Sequence, residues 1–133
     1  MVEAIVRVLL ADDDEGFRDS LRSFIDGQPH LTVAATAEDG LAAIELADVI
    51  EPDAVVIDLH MPLLDGVTAI ARLRRDHPNL CLIALTGDET PKIHAAVREA
   101  GADAVLLKQD FVETLMERLR AVSDAGSDSA RSG

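Results

Sequence analysis

The 133 residues suffice for one domain, and a hydrophobic fraction of 48% supplies a core, which excludes a disordered chain. Lys and Arg number 12 against 25 Asp and Glu, a formal net charge of −13; this excludes nucleic-acid binding through a basic surface and disfavours an anionic membrane. Aromatic residues are 2% of the chain (Phe17, Phe24 and Phe111), too few for base-stacking or flavin-sandwiching platforms.

The first apolar run, Ile5–Ala11, is interrupted by Arg7 and followed by Asp12, Asp13 and Asp14, so the N-terminus does not read as a signal peptide. No later stretch approaches the ~18 apolar residues of a membrane span, and a cytoplasmic protein is expected. Phe17, Leu21, Phe24 and Ile25 share one face of a helix that Asp14 caps near Glu15 and that Gly27 and Pro29 end. Leu31–Ala35 carries Thr32 and reads as an edge strand. Leu41 and Ile44 mark a second helix, and Ala54–Ile57 a third strand. Val67, Ile70 and Ala71 mark a third helix, closed by Asp76-His77-Pro78, whose basic run Arg72, Arg74 and Arg75 suits a helix C-terminus.

Leu80–Leu85 is the fourth strand. It holds Cys81, a lone cysteine read as a small buried hydrophobe, so neither a disulfide framework nor a thiolate metal cluster can form. Ile93, Ala96 and Val97 mark a helix entered at Pro91, Ala104–Leu107 the fifth strand, and Phe111, Leu115, Leu119 and Val122 the fifth helix. From about Asp124 the composition turns to Ser, Gly and Asp. The predicted organisation is therefore a domain over 1–123 and a disordered tail or linker over 124–133. Four of the five runs are almost continuously apolar, as in strands buried on both faces, and strict βα alternation makes the fold α/β and doubly wound.

Sites of open α/β sheets lie beyond the C-terminal strand ends. There the sequence places Asp12, Asp13 and Asp14 after the first strand, Asp58 after the third, Thr86 after the fourth and Lys108 after the fifth. Carboxylates converging to ~5 Å repel by roughly 3 kcal/mol per pair at an effective dielectric of ~20. A hard divalent cation offsets that, and Mg²⁺ needs only one or two carboxylates with carbonyl and water oxygens. Lys108 adds a point charge suited to a phosphoryl oxygen, Thr86 a hydroxyl, and Gly87 room beside it. The set reads as a phosphoryl site with a carboxylate nucleophile. Asp14 is read as a helix cap, His60 as an unsuitable ligand for an oxygen-preferring ion, and His30, His77 and His94 as solvated.

VLLADDDEGFRDSL, PDAVVIDLHMPLLDG, LIALTGD and AGADAVLLKQD, in that order and at these separations, closely resemble the receiver domain of bacterial two-component response regulators over Ile5 to Val122. The resemblance implies a flavodoxin-like (βα)5 three-layer sandwich, a five-stranded parallel sheet in the order 2-1-3-4-5. It makes Asp58 the phosphoacceptor and gives Asp12, Asp13, Asp58 and the His60 backbone carbonyl to Mg²⁺, with Asp13 the more direct ligand of the acid pair. Thr86 and Lys108 hold the phosphoryl group, Lys108 acting with Asp58 in catalysis, and Pro62 and Gly66 shape the neighbouring loop. The implied partners are a sensor histidine kinase or phosphotransfer protein, or a small phosphodonor, and then a downstream protein or fused output domain. A phosphorylation-dependent homodimer is compatible with the resemblance; direct nucleic-acid or membrane binding is not expected.

The implied role is phosphorelay signal transduction by a switch that catalyses its own phosphorylation and dephosphorylation, not by an enzyme of metabolism. Two departures stand out. Val105 occupies a switch position where many members carry an aromatic, and Gln109 follows Lys108 where many carry proline, so the Lys108-Gln109 bond is expected to be trans. Two rivals are a haloacid-dehalogenase-like phosphatase with Asp12 as nucleophile and Asp14 as acid/base, and a degenerate receiver that only binds proteins. The phosphatase is disfavoured because no later strand carries a further acid pair, the degenerate receiver because the site residues are intact.

Overall fold

The computed structural model describes residues 5–61, 64–87 and 91–132, with side chains as far as Val122. Strands and helices alternate along the chain: β1 Val6–Ala11, α1 Glu15–Asp26, β2 Leu31–Ala37, α2 Gly40–Ile50, β3 Ala54–Asp58, α3 Gly66–Asp76, β4 Cys81–Thr86, α4 Pro91–Ala100, β5 Ala104–Leu107 and α5 Val112–Ser132. All strand pairs are parallel, in the order β2-β1-β3-β4-β5, which places β2 on an edge as expected.

Successive side chains of a strand point to opposite faces, and here both faces are covered. Leu9, Ala11, Val55, Ile57, Leu82, Ala84 and Val105 pack with Ala43, Ile44 and Ala47 of α2, Ala69, Ile70 and Leu73 of α3, and Val97 of α4. Val8, Leu10, Val33, Val56, Ile83 and Leu85 pack with Leu21 and Ile25 of α1 and Leu115, Met116 and Leu119 of α5. Three layers result, with no aromatic residue in the first cluster. The helical stripes are narrower than expected: Phe24 is 40% exposed, and Ala71 and Ala96 face outward.

Caps set the helix starts. Asp14, Asp39 and Asp65 accept from the backbone N–H groups of Phe17, Ala42 and Thr68, each satisfying a donor the helix cannot. α5 continues to Ser132, through the segment where composition predicts a disordered tail. No proline intervenes between Val112 and Ser132. Among the described residues no helix is long and apolar enough to cross a membrane.

Two arginines fasten the N-terminal ends of the strands. The Arg7 N–H donates to Asp53 Oδ2 at 2.8 Å, and its guanidinium to the carbonyls of Ile50 and Glu51. Arg74, expected only to complement the end of α3, donates to the carbonyls of Gly101, Pro78 and Leu80 and to Asp103 Oδ2. Gly101 has φ +124°, and a Cβ there would lie 2.7 Å from the Arg74 side chain. His77 is likewise not free in solvent: its Nε2 is 2.8 Å from Asp48 Oδ1, joining the end of α3 to α2.

Candidate functional site

Each polar site residue sits where an apolar strand ends. β1 delivers Asp12, whose N–H donates to Ala37 O at 3.0 Å, β3 ends in Asp58, β4 in Thr86, and Lys108 follows β5. The Lys108 N–H donates to Thr86 O at 2.9 Å, which fixes the turn out of β5 beside the end of β4. Asp12, Asp58 and Thr86 are the buried polar residues among those described, at 4%, 3% and 0% exposure. Asp13 is exposed at the rim, yet ligand oxygens of Asp12, Asp13 and Asp58 all lie within 4.8 Å of one another.

The lysine lies among these acids. Lys108 Nζ is 2.9 Å from Asp12 Oδ2 and 3.2 Å from Asp58 Oδ2. The other oxygens are already engaged: Asp12 Oδ1 accepts the Asp14 N–H at 2.9 Å, and Asp58 Oδ1 the His60 N–H at 3.0 Å. Asp12 Oδ2 is buried and has the ion pair but no hydrogen bond of proper geometry. The Lys108 ammonium is its one close partner among the described residues, and a carboxylate oxygen can accept more than one ligand.

The charges perturb one another. Burial pushes the Asp58 carboxyl up; the His60 N–H pulls it down, the Asp12 charge pushes it up, and Lys108 pulls it down. The net shift is upward. Burial alone would lower the Lys108 ammonium, but the Asp12 and Asp58 carboxylates outweigh it, and the net shift is upward too. Cys81, on the fourth strand, is partly buried, its thiol pushed up to about 11 chiefly by burial, which suits an inert packing role.

The loop after Asp58 is constrained by Gly66. A Cβ there would fall 2.6 Å from Leu59 Cα, and the Gly66 N–H donates to Leu59 O at 3.3 Å. Pro62 lies outside the described residues. His60 is exposed, and its backbone, not its ring, reaches Asp58. Among the described residues, a Cβ on Gly87 would meet nothing within 4 Å. Val105 is buried in the α2–α3–α4 face, paired with Ala84. The Lys108-Gln109 bond is trans. Asp14 Oδ1 is committed to the α1 cap, which removes it as a free acid/base.

Two neighbours of the site escaped the sequence reading. Arg18, its side chain only 11% exposed, donates from Nη1 to Asp12 O at 2.9 Å and lies 3.7 Å from Glu38. Phe17 lays its ring under the lysine, with Lys108 Nζ 4.5 Å from the centroid. Both follow the acid triplet by one helical turn, the one signal that could have drawn attention to them.

Fold and site together define a doubly wound domain with an acid–lysine pocket at its strand ends. The family model for the response regulator receiver domain matches residues 8–120, and the chain belongs to that family. It is 36% identical over 129 residues to the response regulator MprA of Mycobacterium sp. strain KMS, covering 93% of this chain and 55% of that protein. A protein-glutamate methylesterase/protein-glutamine glutaminase of Anaeromyxobacter dehalogenans is 38% identical over 117 residues, covering 88% of this chain and 34% of that one. The response regulator domain of Thermotoga maritima CheB superimposes with a TM-score of 0.83 at 28% identity, over 90% of this chain and 97% of that one. The chain thus spans about half or less of the curated relatives it matches.

Proposed function

We propose that Asp58 is the phosphoacceptor of a phosphorelay receiver, charged by a sensor histidine kinase, a phosphotransfer protein or a small phosphodonor. The observation that carries the reading is the Lys108 ammonium, held 2.9 Å from Asp12 and 3.2 Å from Asp58 in a pocket that buries both carboxylates. One Asp58 oxygen is tied to the His60 N–H, and the other faces the lysine. The attacking oxygen forms its bond to phosphorus as the donor's P–N or P–O bond breaks, and the leaving group keeps the electron pair. Lys108 neutralises charge on the arriving phosphoryl oxygens, and Thr86, at the end of β4, offers a hydroxyl to them.

The acid cluster fits a hard divalent cation, because three carboxylates converge within 4.8 Å and the one lysine beside them offsets only part of their charge. Asp12, Asp13, Asp58 and the His60 backbone carbonyl would hold it, and Mg²⁺ is the ion such oxygen ligands suit. When bound it supplies further neutralisation of phosphoryl charge. The resulting acyl phosphate biases a surface around α4 and β5 towards a downstream protein or a fused output domain. With Val105 in place of an aromatic, that change is small and centred on the segment after Thr86. Residues 124–133 serve this reading as a tail or interdomain linker, and the protein works in the cytoplasm as a switch.

Acetyl phosphate with Mg²⁺ should add one phosphoryl group to the wild type and none to Asp58→Asn, read by intact-protein mass spectrometry. Equal labelling of the two would overturn the assignment.

A further inference from the structure

Two of the chain's three aromatic residues meet beside the site. Phe17 stands in the first turn of α1, where its N–H donates to the Asp14 cap at 3.1 Å. Phe111 immediately precedes α5, is buried, and accepts the Leu115 N–H at 2.8 Å through its carbonyl. Their ring centroids are 5.7 Å apart at 45°, within the range of a favourable tilted pair. The two rings therefore lock the start of α1 to the start of α5, and Lys108 Nζ lies 4.5 Å from the Phe17 centroid.

That placement matters because lysine is a compact charge on a flexible stem. The carboxylates alone leave the ammonium free to settle on its nearer partner, Asp12 at 2.9 Å, and drift from Asp58 at 3.2 Å. A ring face attracts the cation without supplying an oxygen that would compete for it, so it narrows the region the ammonium occupies. The aromatic wall is on the α1–α5 side of the sheet, whereas Val105 belongs to the opposite side.

We infer that Phe17 is a positioning residue for phosphoryl transfer: its ring, backed by Phe111, holds the Lys108 ammonium within reach of the Asp58 oxygen. The inference rests on the phosphoacceptor reading of Asp58.

The test compares wild type, Phe17→Leu and Phe17→Tyr, each also in a Lys108→Met background. Rates of labelling by acetyl phosphate, Mg²⁺ affinity by calorimetry, and the proton shifts of the Lys108 methylenes are measured. Leucine keeps the packing volume and removes the ring, so labelling should slow about fivefold with Mg²⁺ affinity unchanged. Tyrosine should restore the rate. In the Lys108→Met background, Phe17→Leu should have no further effect, and the ring-current shifts of the lysine methylenes should survive in Phe17→Tyr but vanish in Phe17→Leu. A wild-type rate in Phe17→Leu, or equal slowing with and without Lys108, would overturn the inference. The ring-current measurement needs no phosphodonor, so it fails or succeeds separately from the assignment of Asp58, which labelling of Asp58→Asn alone would defeat.

Discussion

The two ends of the sheet use the same residue types to opposite effect. At the N-terminal strand ends, Asp53 accepts the Arg7 N–H, and Asp103 Oδ2 accepts both the Leu82 N–H and the Arg74 guanidinium. Three carbonyls share the rest of Arg74. Asp103 is also 45% exposed, so water completes what the protein does not. At the C-terminal ends, three carboxylates gather, two of them on one lysine, and the Asp12 and Asp58 side chains are 6% and 4% exposed. A satisfied charge joins elements; a buried acid left short of partners stores a demand for a cation or a phosphoryl group.

The largest effect should come from breaking the satisfied end. Arg74→Ala removes four hydrogen bonds that tie α3 to the β4 and β5 approaches, and should destabilise the domain by about 3 kcal/mol. Mg²⁺ affinity and labelling of the folded protein should stay as they are. Denaturant unfolding measures the first, calorimetry and mass spectrometry the second; a loss of stability under about 0.5 kcal/mol would mean that water replaces these contacts.

The next effect belongs to the other end. Lys108→Ala deletes a charge-assisted contact worth roughly 1.5–3 kcal/mol, so acetyl phosphate labelling should slow by about tenfold or more. Thr86→Ala, which removes one neutral donor, should slow it less. Equal rates for the two variants would erase the difference in kind claimed for Lys108.

The smallest effect sharpens the comparison through stability. Asp58→Asn keeps an acceptor for the His60 N–H and removes both the buried charge and its repulsion with Asp12. It should stabilise the metal-free protein by about 1 kcal/mol at neutral pH. The sign follows from proton binding. The Asp58 carboxyl is raised above the ordinary carboxylate value of 3.8, so between 3.8 and its raised value the native state holds a proton that the unfolded state has lost. Wild-type stability therefore falls as pH rises through that window. The advantage of Asp58→Asn should be full above the window and vanish towards pH 3.8. Urea titrations of both proteins across acidic pH would expose a gap that stays constant or grows on acidification, contrary to this account.

Most of the frame was legible in the sequence because it depends on local periodicity. The ten elements, the β2 edge, the Asp14 cap and the start at Pro91 follow from apolar spacing and end signals. The meeting of Asp12, Asp58, Thr86 and Lys108 was legible because a parallel sheet gathers whatever follows its strands. Contacts set by tertiary geometry were not. Nothing near His77 announces Asp48, and nothing near Arg74 announces Gly101 or Asp103. Phe24 fits the periodic stripe of α1 yet lies at its margin, 40% exposed. Phe17 read as core, because helical spacing cannot tell a ring under a lysine from a ring under a leucine.

The position of Lys108 in chain order has a consequence for biosynthesis. A polypeptide leaving the ribosome presents Asp12, Asp13 and Asp58 long before the lysine that balances them; the Lys108–Asp58 contact alone spans 50 residues. An intermediate containing β1 to β3 would bring the carboxylates together without Lys108, so their repulsion would oppose premature closure of that end. The segment that follows the last strand relieves part of it, so the sheet gains its edge and the site its lysine together.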